Sequence, residues 1–266
     1  MVKALNASLS QQLSSVYVLE VRVDCITQQQ VLDCIEQLID SHHTSQQQAS
    51  CQQLITVNPE FVMAAQNDTV FRQCINEAAL VIPDGIGVVW ATRYLGKPVP
   101  ERVTGVDTLV ELARRSATKG YRLYLLGAAP GIAEAAGKRL QTLAPGLQIA
   151  GSYAGSPAIA EEDEIIERIR VAQADILCVA YGAPAQDVWI RRNLGRLPVA
   201  IAMGVGGSFD FLTGRQRRAP KIMQKLGLEW LYRLFREPWR WRRMLALPKF
   251  AIKVVVKGFK AYGACR

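Results

Sequence analysis

Short apolar runs, each closed by a small or polar turn, recur along most of the chain: Leu54–Val57, Leu80–Ile82, Leu123–Leu126, Ile149–Tyr153, Ile176–Ala180 and Val199–Met203. Their length and punctuation predict strands. Helical patterns lie between them at Phe61–Ala65, Ile86–Leu95, Val106–Thr118, Ile132–Leu143, Ile159–Ala172 and Asp187–Leu194. Ahead of them all, Val31, Leu32, Ile35, Leu38 and Ile39 recur at three- and four-residue steps and predict an amphipathic helix over 28–42. Strands alternating with helices of this length predict parallel β-α-β units, hence an α/β sandwich with a mainly parallel sheet. In such sheets ligands bind beyond the carboxyl ends of the strands, so the loops that follow strands are where chemistry is expected.

From Gln216 onward the pattern becomes wholly helical, basic and aromatic, which places a boundary near Gly214: residues 1–214 form the α/β body and 215–266 a helical appendage. Charge sharpens this division. Residues 215–266 hold 15 Lys+Arg against only Glu229 and Glu237, whereas the preceding residues are slightly acidic, although the whole chain carries +9. A nearly neutral body with a basic tail points to a polyanionic partner: nucleic acid, an anionic membrane surface or a diphosphate. No apolar run approaches the roughly 20 residues of a spanning helix. The first 20 residues are too polar for a secretory signal and read as a flexible start, which implies a cytoplasmic protein. Six cysteines without a C-x-x-C pair read as small core residues.

Several strand-end loops could carry chemistry. Thr56 and Asn58 end an apolar run, with Pro59 placed to open a helix; on their own they read more simply as a strand residue and a helix cap than as chemical groups. Asp84 stands at another strand end before Gly85 and Gly87, either as a chemical carboxylate or as a cap. Glu101, Arg102 and Thr104 form a charged loop before a helix. The turns holding Gly127 and Gly131, and Gly204, Gly206 and Gly207, could receive a phosphate on backbone amides. Neither is the full dinucleotide fingerprint, and no acidic residue follows to hold a ribose, which counts against a nicotinamide enzyme. Gln186 stands in the last strand-end loop, able to bind a sugar hydroxyl or merely to begin a helix. Absences narrow the chemistry: there is no D-x-D pair for a metal-held diphosphate, no G-x-S-x-G, no P-loop lysine, and only His42 and His43 as histidines. The cluster Glu161–Glu164 reads as a solvated helix start.

Taken in order, TVNPEF, PDGIG, ERVTG, LYLLGAAPG, GAPAQD, GVGGSFDFLTG, RAP and GLEWLYRLFREP resemble the WecG/TagA/CpsF family of bacterial glycosyltransferases over about residues 50 to 245. The resemblance implies a Rossmann-like sandwich and an inverting transferase that needs no metal or other cofactor. It implies a UDP-sugar donor carrying N-acetylmannosamine, its uronic acid or another hexose. The acceptor is implied to be the 4-hydroxyl of polyprenyl-diphosphate-linked N-acetylglucosamine, in cell-surface polysaccharide synthesis. Carried over by position, Asp84 is the general base, Thr56 and Asn58 hold the sugars, Arg102 faces the diphosphate, and Gln186 binds the donor or the developing charge. Asp187 stands where the family's loop commonly has Glu. The appendage is implied to touch the membrane and to close over the site, with Arg233, Arg240 and Arg243 neutralising the leaving diphosphate from one helical face. A homo-oligomer is also implied.

The far tail bears on the membrane independently of the family. Lys249, Lys253, Lys257 and Lys260 recur at helical steps among Phe, Ile and Val, the pattern of a basic helix lying in an anionic headgroup layer at the inner face of the plasma membrane. A terminal helix docked on the body fits the same pattern. The rival function is a nucleic-acid-binding protein using the basic aromatic tail, which accounts for the tail but not for the strand-end loops.

Overall fold

A computed structural model describes residues 13–44, 50–225, 227–238 and 241–263. Six strands form one wholly parallel sheet: β3 (Gln52–Val57), β4 (Leu80–Pro83), β5 (Arg122–Gly127), β6 (Gln148–Tyr153), β7 (Ile176–Ala180) and β8 (Ile201–Gly204), in the order β4-β3-β8-β7-β5-β6. All six predicted strands are present, so the α/β, Rossmann-like expectation holds. Successive side chains point to opposite faces. Leu54, Ile82, Leu125 and Met203 therefore face one cluster, with the helices Gln28–Thr44, Gly105–Lys119 and Ile132–Leu143. Ile55, Val57 and Val81 face the other side, under the helices Pro59–Ala65, Thr69–Asn76 and Ile86–Tyr94; Leu126, Leu177 and Val179 do so under Glu162–Ala172 and Ala185–Asn193. Burial on both faces is what a parallel sheet requires.

Two features depart from the sequence reading. The expected flexible start reaches residue 20, yet Ser15–Val18 and Val21–Asp24 pair as an antiparallel hairpin, β1 and β2. Val16, Val18, Val21 and Val23 alternate into the core, and Leu19 and Glu20 take the positive φ of a tight turn. Asp24, buried, accepts from the backbone amide of Val81 at 2.8 Å, so the hairpin is tied to the edge strand β4 and shields it. Residues 1–12 lie outside the described residues.

The second departure is at the tail. The terminal helix Ala246–Gly263 is docked on the body, not projecting from it: Phe250 and Val254 are 2% and 1% exposed and join the cluster of Ile55, Val57, Phe61 and Val62. Part of the helix's apolar surface is thus spent on the protein, while Ile252 and Val256 remain exposed. Lys249, Lys253 and Lys257 remain on the exposed side, and Lys257 pairs with Glu20 of the hairpin at 3.0 Å. Lys260 falls within the same helix. Among the described residues, no helix is long and apolar enough to cross a membrane.

Candidate active site

The register β3–β4 places Val57 opposite Pro83, so the next residues of each strand, Asn58 and Asp84, emerge side by side. Three helices begin there. Asn58 caps Pro59–Ala65, its Oδ1 accepting from the Phe61 amide at 3.1 Å, and Pro59 occupies the first turn, where a missing N–H costs nothing. Gly85, at φ 91°, turns the chain from Asp84 into Ile86–Tyr94, a conformation that favours glycine. Thr104 caps Gly105–Lys119. The amide of Gly105 donates to Asp84 Oδ2 at 3.4 Å, and a Cβ added at Gly105 would lie 3.6 Å from Thr56 Oγ1. Gly105 thus lies against both Thr56 and Asp84. The cap reading of Asn58 is therefore correct, and the cap leaves its amide nitrogen uncommitted among the described residues.

Asn58, Asp84 and Arg102 line a cavity of about 140 Å³, closed on its far side by Glu229, Trp230, Met244 and Leu247. Those four come from the basic appendage, and sequence reasoning assigned none of them a role. A further missed residue is Arg218. It donates to Asp107 at 2.6 and 3.4 Å, and Asp107 also accepts from the Thr104 hydroxyl at 2.5 Å. Burial opposes the Arg218 cation, but Asp107, and after it Glu229 and Asp84, outweigh burial and raise its pKa. Burial likewise pushes the Asp107 carboxyl up, while Arg218 and Thr104 more than reverse this and hold it below the usual carboxylate range. Arg218 thus fastens the start of the appendage to the loop that donates to Asp84. Its only sequence signal was the RAP triplet.

The remaining predicted residues lie elsewhere. Gln186 is buried, and its Oε1 accepts from the Gly206 amide at 3.0 Å. A Cβ on Gly204 would sit 2.3 Å from the Gln186 amide nitrogen and 2.6 Å from Asp187 Oδ1, so Gly204 is glycine because two polar side chains pack on its Cα. Gln186 here braces the β8 turn and does not line the Asp84 cavity. Asp187 is fully buried, with no hydrogen-bond partner of good geometry for either oxygen among the described residues; burial raises its pKa to about 7, and the neighbouring Gln186 amide offsets this only in part. Gly127, at φ 101°, lets β5 approach the backbone of Ala180, where a Cβ would come within 2.8 Å. Gly131 and Gly207 are exposed at the β5 and β8 ends, Gly131 just before the helix Ile132–Leu143.

Among the described residues, Arg233 and Arg243 do not share one helix. Arg233 falls within Glu229–Arg236, Arg243 within the separate helix Trp241–Met244, and Arg240 lies outside the described residues. Pro238 explains the break, since proline forbids helix continuation and biases the residue before it away from helix. Arg243 donates to Glu60 at 3.0 and 2.7 Å and lines a neighbouring groove of about 360 Å³ beside Pro184. Glu60 lines both cavities. Among the described residues, no group of three His, Cys, Asp or Glu comes together to hold a metal.

A carboxylate, an amide and cations gathered at the strand ends of a parallel sheet define an enzyme site of the α/β class. Residues 16–264 match the glycosyl transferase WecG/TagA/CpsF family, and the chain belongs to that family: it is a glycosyltransferase. A relative from Bacillus spizizenii (strain W23) is 35% identical over 202 residues, covering 76% of this chain and 78% of the relative. One from Bacillus subtilis (strain 168) is 36% identical over 200 residues, 75% and 77% of the two chains. One from Staphylococcus aureus (strain MW2) is 31% identical over 201 residues, 76% and 78%. All three are named N-acetylglucosaminyldiphosphoundecaprenol N-acetyl-beta-D-mannosaminyltransferase. The nucleic-acid reading of the tail finds no support among these relatives.

Proposed function

We propose that this glycosyltransferase moves N-acetylmannosamine, its uronic acid or another hexose from a UDP-sugar to polyprenyl-diphosphate-linked N-acetylglucosamine, with inversion and without a metal, in cell-surface polysaccharide synthesis. The observation that carries the reading is the cavity that gathers Asp84, Asn58 and Arg102 under residues of the appendage. The names of the relatives supply the acceptor and the donor sugar.

The Asp84 carboxylate takes the proton of the acceptor hydroxyl as its oxygen attacks the anomeric carbon of the donor. The new glycosidic bond forms on the face opposite the leaving group, the bond from that carbon to the UDP oxygen breaks, and UDP departs with the electron pair. One displacement inverts the centre. Thr56 and the Asn58 amide hold sugar hydroxyls, and the Arg102 guanidinium meets the growing charge of the diphosphate. The amino ends of Ile86–Tyr94 and Gly105–Lys119 add partial positive charge at the same place. Gln186 serves the reaction by keeping the β8 turn in shape, and the glycines of the β5 and β8 turns leave backbone amides open to the donor. Closure by the appendage excludes water from the attack. We place the work at the inner face of the plasma membrane, where a polyprenyl-linked acceptor is held, and expect a homo-oligomer.

The test is UDP release by the purified protein with a panel of UDP-sugars and a short-chain lipid-diphosphate N-acetylglucosamine, in EDTA, beside Asp84→Asn. Acceptor-dependent release with one donor, lost in the variant, fixes the reaction and the donor together. Normal turnover by a folded Asp84→Asn protein refutes the base assignment.

A further inference from the structure

The helix Ile86–Tyr94 opens at the catalytic carboxylate and runs outward from it. Ile86, Trp90 and Tyr94 recur at four-residue steps and so lie along one face. All three are exposed, at 41%, 40% and 38%, and the Trp90 and Tyr94 rings stack with centroids 5.6 Å apart. A stripe of this kind is costly in water and marks a contact surface when it is contiguous. At one end, Ile86 lines the Asp84 cavity beside Trp230, which is itself 38% exposed. At the other end stand Arg93 and Lys97, exposed, with no ion pair among the described residues. Aromatic rings with a polar edge, an aliphatic residue and two unmatched cations are the composition of a surface that sits at a lipid headgroup boundary.

The position of the stripe says why a bilayer belongs there. The acceptor sugar, on the reading given above, is separated from its hydrocarbon anchor by a diphosphate alone. A cavity that receives that sugar must therefore have its mouth close to the headgroups, and the exposed apolar residues at this mouth are Ile86 and Trp230. The terminal helix spends Phe250 and Val254 on the core, while its Ile252 and Val256 stay exposed, at 64% and 50%.

We propose that the outer face of the helix Ile86–Tyr94, through Trp90 and Tyr94 with Arg93 and Lys97 at its end, seats the body on an anionic bilayer at the mouth of the active site. The proposal rests on the glycosyltransfer reading only for the direction in which the cavity faces. Seating the body this way makes the membrane anchor the helix that directly follows the carboxylate loop.

The experiment uses the full chain and vesicles of phosphatidylcholine with and without phosphatidylglycerol. Trp90→Glu with Tyr94→Glu is compared with Trp90→Phe with Tyr94→Phe, each checked for an unchanged melting curve. The acidic pair is expected to lower sedimentation with anionic vesicles about tenfold. It should lower turnover of a long-chain acceptor in vesicles in parallel, while turnover of a short-chain acceptor in solution stays as in the parent; the phenylalanine pair should keep most of the vesicle binding. Brominated lipid should quench the part of the tryptophan emission that Trp90→Phe removes. Parent-like sedimentation of the acidic pair overturns the proposal, as does a loss of short-chain turnover with vesicle binding intact, or a change of oligomeric state as the sole effect. If the parent protein turns over neither acceptor, the glycosyltransfer reading fails, while sedimentation and quenching still decide the bilayer contact.

Discussion

Asp84 and Asp187 are two carboxylates at strand ends with opposite surroundings. Asp84 is half-exposed in a cavity among a glycine amide and cations, and Asp84→Asn, which keeps the shape and removes the basicity, is expected to lower turnover by at least about a hundredfold at unchanged stability. Asp187 is enclosed and its raised pKa makes it a stability residue. Its neutral form suits the native state, so the stability it contributes is complete below the unfolded carboxylate value, near 4, and is lost as pH rises through about 7. Asp187→Asn should flatten that loss: denaturant melts at about pH 5 and about pH 8 should differ less in the variant than in the parent. An unchanged difference would show that Asp187 binds the same number of protons folded and unfolded over this range, so that its native pKa is not raised. Gly204 tests the same packing from the other side. Gly204→Ala forces a Cβ onto Gln186 and Asp187 and should destabilise by about 1 to 3 kcal/mol in denaturant titration.

At the scale of elements, the tail is the instructive case. Its lysine spacing is that of a surface helix, and the same helix carries Phe250 and Val254, which the core accepts. Truncating Phe250 to Ala is expected to cost about 3 to 5 kcal/mol in the unfolding free energy of the whole chain, the range for a buried phenylalanine. A free membrane helix would show almost no such cost. Truncation after Gly214 removes Arg218, Trp230, Met244 and Leu247 as well, and should abolish turnover even of a short-chain acceptor in solution; a fully active fragment would mean that the appendage is not part of the site. The hairpin Ser15–Asp24 makes the reverse point. Its Val-x-Val alternation was present in the sequence, but the polar residues before it and the shortness of each strand hid a signal that the edge of β4 then fixes through Asp24.

Over the whole molecule, the neutral body and basic appendage meet at the candidate active site. The appendage folds back so that Glu229 and Trp230 cover the strand ends of β3 and β4, while Lys249, Lys253 and Lys257 stay in solvent. If fixed cations neutralise the leaving diphosphate, EDTA should leave the rate unchanged and added salt should weaken substrate binding. A rate lost in EDTA and restored by magnesium would assign that charge to a metal instead. Strands, most of the helices and the strand-end loops were legible because burial period and turn chemistry are local properties, written within a few residues of each element. Thr56, Asn58, Asp84 and Arg102 could be picked from those loops on the same ground. Which loops meet was not legible. Strand order brings Asp84 beside Asn58 and leaves Gln186 under the β8 turn, and that order depends on contacts between residues far apart in the chain. The sequence by itself determined a parallel α/β body, a basic tail and the chemical inventory of the loops. Only the tertiary structure decided that Arg218 clasps the tail to the site and that Phe250 and Val254 of the tail belong to the core, because an apolar residue has the same composition whether it meets protein or lipid.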